Sequence, residues 1–238
     1  MHRIFAESNN IQGEFLKIPE NDQFHLKKVL RFKEGETFEV VVDDKLYEVV
    51  YIDSYTAKII SFSKIQIESK PNINLFFSIL KGDKTDFVLQ KCTEIGLNNF
   101  YPIISLRTIP NIIGKEDAKQ QRWQKIVNDA SKQSKSPFIP KVHRPIDITE
   151  VFNHIYRNDF SIVPYENEKT TNIKEALDKY RGGDINIIIG PEGGFEDIEI
   201  KTLIRAGVQS VSLGEKILRA ETASMVALVN IVYELELW

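Results

Sequence analysis

The sequence holds a single cysteine, Cys92, so it offers neither an intramolecular disulfide nor a cysteine-built metal cluster. That usage fits a reducing compartment, and Cys92 is expected to be a small buried apolar residue. Long apolar runs are also missing. The stretch 185–189, already interrupted by Asn186, is far shorter than the roughly 20 residues needed to cross a bilayer, so no membrane span is expected. The first ten residues mix His2, Arg3 and Glu7 with no apolar stretch behind them, so they are not expected to be a secretory signal, and a cytoplasmic location is expected. Neither sign of charge prevails: the net charge is −3, which argues against a simple polybasic nucleic-acid binder. What remains is average globular composition, 42% hydrophobic and 27% charged, enough to bury a core without staples. The average hides an asymmetry. Residues 71–144 carry 12 basic and 6 acidic side chains, and residues 145–238 carry 9 and 16. The middle third is a local field that attracts phosphate, although a solvated surface would have the same composition.

Three β-rich stretches, 37–42, 46–52 and 57–62, are separated by the turn formers Asp43-Asp44 and Asp53-Ser54 and read as a meander. Ahead of them, 21–30 sets Phe24, Leu26, Val29 and Leu30 among Lys27, Lys28 and Arg31, the pattern of a short amphipathic helix. Lys70-Pro71-Asn72 breaks this pattern, which predicts a small β domain over 1–70 and a second domain over 71–238. The second domain alternates. Strands are predicted at 73–80, 100–104, 160–163, 185–189 and 208–213, and helices at 86–95, 117–133, 173–180, 196–206 and 221–237. Strands separated by helices imply a mostly parallel sheet covered on both faces, an α/β fold.

Open parallel sheets bind ligands at the carboxyl ends of their strands, which directs attention to the loops after 189 and 213. The first reads IGPEGGF: Gly190 lets the backbone leave a buried strand, Pro191 stiffens the turn, and Gly193-Gly194 permit close approach or positive φ. It is neither a Walker loop nor a GxGxxG dinucleotide loop. The second, LGEKILRAETA, puts Arg219, Glu221 and Thr222 where the last helix begins. Each loop has a purely structural explanation: a tight strand-to-helix connection, and an Arg219–Glu221 surface pair with Glu221 favoured by the helix dipole. Two polar, glycine-bearing loops from strands expected to be neighbours are better explained as the walls of one small-molecule site.

With FHLKKVLR (24–31), KGDKTDFVLQKCTEIG (81–96) and RWQKIVNDASKQS (122–134) preceding those two loops in the same order, the chain resembles the RsmE-type 16S ribosomal RNA (uracil-N3)-methyltransferases of the SPOUT superfamily. The resemblance spans nearly the whole chain. It implies an N-terminal PUA-like β-barrel that binds RNA, a C-terminal SPOUT α/β domain with a deep trefoil knot, and a homodimer. It also implies methyl transfer from S-adenosylmethionine to N3 of a uridine in small-subunit ribosomal RNA or the assembled subunit, without a metal. Related readings are a SPOUT enzyme acting on another RNA or atom, and a non-catalytic ribosome-assembly factor. Two positions depart from the family pattern: Ser136 stands where an arginine is common nearby, and Phe24 replaces the first of two paired histidines, leaving His25.

Carried onto this chain, the resemblance places the cofactor between Gly190, Pro191, Glu192 and Gly193 of one loop and Leu213, Gly214, Ile217 and Leu218 of the other, with Pro164 closing one side. N3 of uridine carries a proton at neutral pH. Arg219 is the candidate for stabilising the anion, and Glu192 or Glu221 the candidate base. Arg3, His25, Lys28, Arg31, Lys81, Lys84 and Lys91 are candidate RNA contacts. Trp123 and Phe24 are expected in the core.

Overall fold

The computed structural model describes residues 2–65 and 70–237. The chain divides into two compact units, Met1–Ser69 with Ser131–Phe138, and Lys70–Ala130 with Ile139–Trp238. The excursion Ser131–Phe138 is invisible to a boundary drawn at one Pro-containing linker. Within the first unit it is held by side chains: Lys132 pairs with the buried Asp22 at 2.5 Å, and the Arg3 guanidinium donates to the carbonyls of Lys135 and Ser136.

The first unit is built on strands β1 (Arg3–Phe5), β2 (Ile11–Gln12), β3 (Phe15–Lys17), β4 (Thr37–Val42), β5 (Lys45–Tyr51) and β6 (Thr56–Lys64). They form one sheet in the order β1-β4-β5-β6-β3-β2, in which only β1 and β4 pair in parallel. The meander β4–β6 is the predicted one. Asp43, at φ +52°, turns the chain between β4 and β5, and the Asp53 carboxylate accepts the amides of Tyr55 and Thr56 in the next turn. The three short strands before it lie below the length at which periodicity is legible. The amphipathic helix needs correction. Helix α1 (Glu20–Phe24) widens at His25 into a π-helical turn, His25–Val29, which buries Leu26 and leaves Phe24 69% exposed and Val29 57% exposed. Phe24 is therefore not a core residue.

The second unit contains β7 (Ile73–Ser78), α2 (Lys84–Ile95), β8 (Asn99–Ile104), α3 (Glu116–Ser134, whose last four residues belong to the first unit), β9 (Lys141–Val142), β10 (Ile146–Asp147), β11 (Phe160–Pro164), α4 (Ile173–Leu177), β12 (Ile185–Ile189), α5 (Asp197–Arg205), β13 (Gln209–Val211) and α6 (Ala220–Glu234). Its sheet runs β10-β8-β7-β12-β11-β13, with β9 also on β8, and every pairing is parallel. Strands β7 and β12 are buried throughout, as a sheet covered on both faces requires. One face packs on α2, α3, α4 and α6 through Leu75, Phe77, Leu89, Trp123 and Leu228, with Cys92 buried among them; the other packs on α5 through Phe76, Ile188, Ile200 and Leu203. Burial pushes the Cys92 thiol up to about 12, so it is an inert core residue. Among the described residues no helix is long and apolar enough to cross a membrane.

Asn186, the polar interruption in the apolar run, belongs to a row at the amino ends of four strands. Asn99 donates to Asn74 (2.9 Å), Asn74 to Asn186 (2.8 Å) and Asn186 to Ser161 (3.0 Å). A slip of one residue in any of these strands would strand a buried amide, so the row fixes register and frees the opposite ends for a ligand.

Candidate active site

Strand β11 lies between β12 and β13, so the loops leaving all three carboxyl ends open side by side. They enclose a cleft of about 550 Å³, continuous through Pro164, Tyr165, Ile217 and Leu218 with a smaller hollow of about 90 Å³. Of the residues singled out from sequence, Pro164, Gly190, Pro191, Glu192, Gly193, Ile217, Leu218, Arg219 and Glu221 line the cleft, and Leu213 and Gly214 line the hollow. Tyr165, Glu166 and Lys169 were not foreseen. They sit on the loop after β11, and only the strand order reveals that this loop opens between the other two.

Loop 190–196 is braced from outside. The Phe195 ring is buried beneath Gly190, where an added Cβ would meet it at 3.0 Å, so no larger residue fits without a shift. Arg107, on the loop after β8, donates to the Gly193 carbonyl and to Glu196, both at 2.7 Å. Glu199 accepts the amides of Leu106 (2.8 Å) and Glu196 (2.7 Å), stitching the β8 loop to the start of α5. Sequence reasoning missed the Arg107 and Leu106 braces because they join residues about ninety positions apart.

The two candidate carboxylates differ in what they touch. Glu192 is paired with Lys84 at 3.1 Å, and the Lys81 amide donates to it at 3.4 Å. Partial burial pushes the Glu192 carboxyl up, but the Lys84 ammonium and the backbone amides of Glu192 and Lys81 outweigh it and leave the group below the usual range. Glu221, in the first turn of α6, keeps Oε2 buried without a hydrogen-bond partner among the described residues although its residue lines the cleft. The Arg219–Glu221 surface pair that a purely structural reading of this loop would need is not formed. Arg219 caps the amino end of α6, is exposed, and has no ion pair or side-chain hydrogen bond among the described residues. A cation at the positive end of a helix dipole costs about 0.3–1 kcal/mol, so its position calls for another reason.

The loop after β11 is fixed by Glu168. Its carboxylate accepts from the Ser210 and Thr170 hydroxyls, both at 2.6 Å, and from the Thr170 and Thr171 amides at 2.8 and 3.2 Å. Those hydrogen bonds, the Ser210 hydroxyl first and then Thr170, hold the Glu168 carboxyl down to about 2.

The candidate RNA contacts divide into engaged and free groups. Arg3 is bound to Glu39 at 2.9 Å and to backbone carbonyls, Lys84 to Glu192, and Lys91 to Glu94 at 2.9 Å. Lys28, Arg31 and Lys81 are exposed, and the His25 ring lies 5.6 Å from that of His2. Ser136, the other departure, is turned inward, its hydroxyl donating to the Phe138 carbonyl at 2.6 Å.

A family model described as an RNA methyltransferase domain matches residues 68–232. Ribosomal RNA small subunit methyltransferase E of Mesomycoplasma hyopneumoniae is 32% identical over 234 residues, covering 98% of this chain and 99% of the relative. The protein of the same name from Bacillus subtilis is 27% identical over 100% of this chain and 98% of its own. Among solved structures, a ribosomal RNA small subunit methyltransferase E from Neisseria gonorrhoeae bound to S-adenosyl methionine superposes with a TM-score of 0.86 at 30% identity, over 100% of this chain and 98% of that one. A methyltransferase from Legionella pneumophila in complex with the same cofactor gives a TM-score of 0.82 at 26% identity, over 97% and 96%.

Proposed function

The chain belongs to the family of ribosomal RNA small subunit methyltransferases E, and on that premise we propose that it methylates N3 of a specific uridine in 16S ribosomal RNA, with S-adenosylmethionine as donor. The observation that carries this reading is the single cleft formed by three neighbouring strand ends, with an unpartnered guanidinium and an unpartnered buried carboxylate oxygen on its wall. At about 550 Å³ it lies within the range of small-molecule sites, about 300–1,000 Å³. The residues fit the donor. Ile189, Pro191, Leu218 and Ala223 offer apolar walls for an adenine, and Glu166, Glu192 and Glu221 offer carboxylates to a cationic ligand. When bound, S-adenosylmethionine supplies a methyl group on a positively charged sulfur.

The chain's own groups then have two tasks: to orient the uracil, and to take its N3 proton while stabilising the anion left behind. Orientation of bound reactants is worth about 7–11 kcal/mol, against about 10²- to 10⁴-fold from a general base, so the braced walls carry more of the rate than either carboxylate. Arg219 donates to the uracil oxygen on which charge develops; a guanidinium stays protonated and loses no partner in doing so. Glu221 takes the proton. Glu192 is the weaker candidate, because Lys84 already stabilises its charged form and lowers its basicity.

The finer architecture is also proposed. The first unit serves as the PUA-like RNA-binding domain, with His25, Lys28 and Arg31 toward RNA; in the second unit Lys81 is the candidate contact, and the engagements of Arg3, Lys84 and Lys91 favour structural parts for those three. The chain crosses from β12 past β11 to β13 and returns through α6 to pack on β12 and α2, a path that supports a deep trefoil knot. Helix α6 buries Ala227, Leu228 and Ile231 but exposes Val229 and Tyr233, an apolar face suited to a second copy of the chain.

The test is incubation of purified protein with S-adenosylmethionine and small-subunit RNA from cells lacking the gene, then mass spectrometry of the digested RNA. N3-methyluridine is expected, and another methylated nucleoside would overturn the assignment. In single turnover at saturating RNA, Glu221→Gln should slow transfer by about 10²-fold and Glu192→Gln by less than about fivefold; the reverse order would exchange their roles.

A further inference from the structure

Beside the cleft lies a second cavity of about 230 Å³, at the carboxyl end of β7. The turn that leaves β7 separates the two: Lys84 lines the cleft, whereas Lys81 and Gly82 line the cavity. Its walls are Ile79, Leu80, Pro110 and Ile112, with Ile109, 58% exposed, at the mouth. Inside, Asp86 accepts the Trp123 indole N–H at 3.1 Å and is paired with the Arg122 guanidinium. Lys81 stands exposed on the rim, and the Lys119 ammonium lies 5.7 Å from the centre of the Trp123 ring.

Each part selects a kind of ligand. Apolar walls suit the faces of a ring, and two ammonium groups among the lining residues suit an anion. The carboxylate, its charge already compensated by Arg122, keeps lone pairs free for a further N–H donor but has little charge left to draw in a metal ion. A nucleotide has all three features in one molecule. We propose that this cavity holds the base of an RNA residue next to the methylated uridine, with its amino group donating to Asp86 and its phosphate on Lys81 and Lys119. This rests on the RNA-methyltransferase reading and deepens it. Holding a neighbour only one turn of chain away lets the enzyme place the target uracil in the cleft and makes the flanking base part of the recognition sequence. Cytosine, adenine and guanine carry the exocyclic amino group; uracil offers only its N3–H, held between two carbonyl oxygens that the Asp86 carboxylate repels.

Two experiments test the proposal, both with the intact protein saturated with S-adenosylmethionine so that the cleft is filled. In the first, isoleucine methyl resonances are followed while cytidine 5′-monophosphate is added. Shifts at Ile79, Ile109 and Ile112 are expected, and they should be several-fold weaker with uridine 5′-monophosphate. Shifts confined to Ile189 and Ile217, or none, overturn the site; equal responses to both nucleotides overturn the base preference. In the second, Ile109→Trp closes the mouth from an exposed position. The affinity for S-adenosylmethionine should stay within about twofold of wild type while KM for small-subunit RNA rises about tenfold at nearly constant kcat, and an unchanged KM overturns the proposal. Failure of the wild-type protein to methylate RNA would sink the functional reading instead, and the nucleotide titration would still judge the cavity by itself.

Discussion

Loop 190–196 is held from outside by Lys84 and Arg107 and from within by the buried Phe195 ring, whereas loop 212–219 is held by far less. Its first residue, Ser212, donates its amide to Thr171 at 2.8 Å and accepts the Gly214 amide at 3.2 Å. Beyond that, Leu213 and Leu218 pack against the core while Ile217 is 84% exposed. One wall of the cleft is thus built before a ligand arrives, and the other has most of its contacts still to make. Preorganisation lowers the cost of binding, and a wall that closes later lets the ligand enter and the reacting groups assemble around it. The chemistry-bearing Arg219 and Glu221 stand at the end of the less constrained loop. The constrained loop carries Glu192, already neutralised by its neighbour.

The largest test of this division is Arg219→Ala. Loss of the guanidinium should slow methyl transfer by about 10²-fold or more while calorimetry finds the affinity for S-adenosylmethionine nearly unchanged, and near-normal turnover would remove Arg219 from the chemistry. Next comes Gly190→Ala, which pushes a methyl group into the Phe195 ring and so disturbs the built wall. Cofactor affinity should fall about tenfold with a smaller effect on the rate once bound, the opposite of the Arg219 signature. A third measurement leaves the sequence untouched. In hydrogen exchange, S-adenosylmethionine should protect amides of 212–219 more than those of 190–196, and equal protection would erase the distinction between the walls.

The smallest expected effect concerns Glu168, which braces the loop between the two. Its carboxyl is held down to about 2 in the folded protein against 4.5 ordinarily. A depressed carboxyl contributes stability that is fully present above its unfolded pKa and disappears as pH falls through the folded value. The difference in unfolding free energy between wild type and Glu168→Gln should therefore be constant above about pH 5 and shrink between about 4.5 and 2; because solvent reaches the half-buried group and screens it, it should be only on the order of 1 kcal/mol. A difference independent of pH would mean that the carboxylate charge plays no part.

Much of this was legible in the residues themselves. Strand β12 coincides with the predicted 185–189, α2 ends at Gly96 with φ +126° as a glycine stop should, and Trp123 is buried. Both glycine-bearing loops do line one cleft. Phe24 was misread because a π turn changes the helical period within a few residues, and the strands of the first unit before residue 20 are too short to show a period at all.

Local chemistry by itself determined the longer strands and helices of the second unit, and which loops have the composition of a binding site, since those depend on side-chain spacing and backbone freedom. Only the tertiary structure decided that β11 stands between β12 and β13, that Lys84 claims Glu192 while Glu221 Oε2 and Arg219 are left unpartnered, and that a second cavity opens one turn away. Strand order and ion pairing join residues far apart in the chain, and they are settled by the packing of the whole sheet rather than by any segment within it.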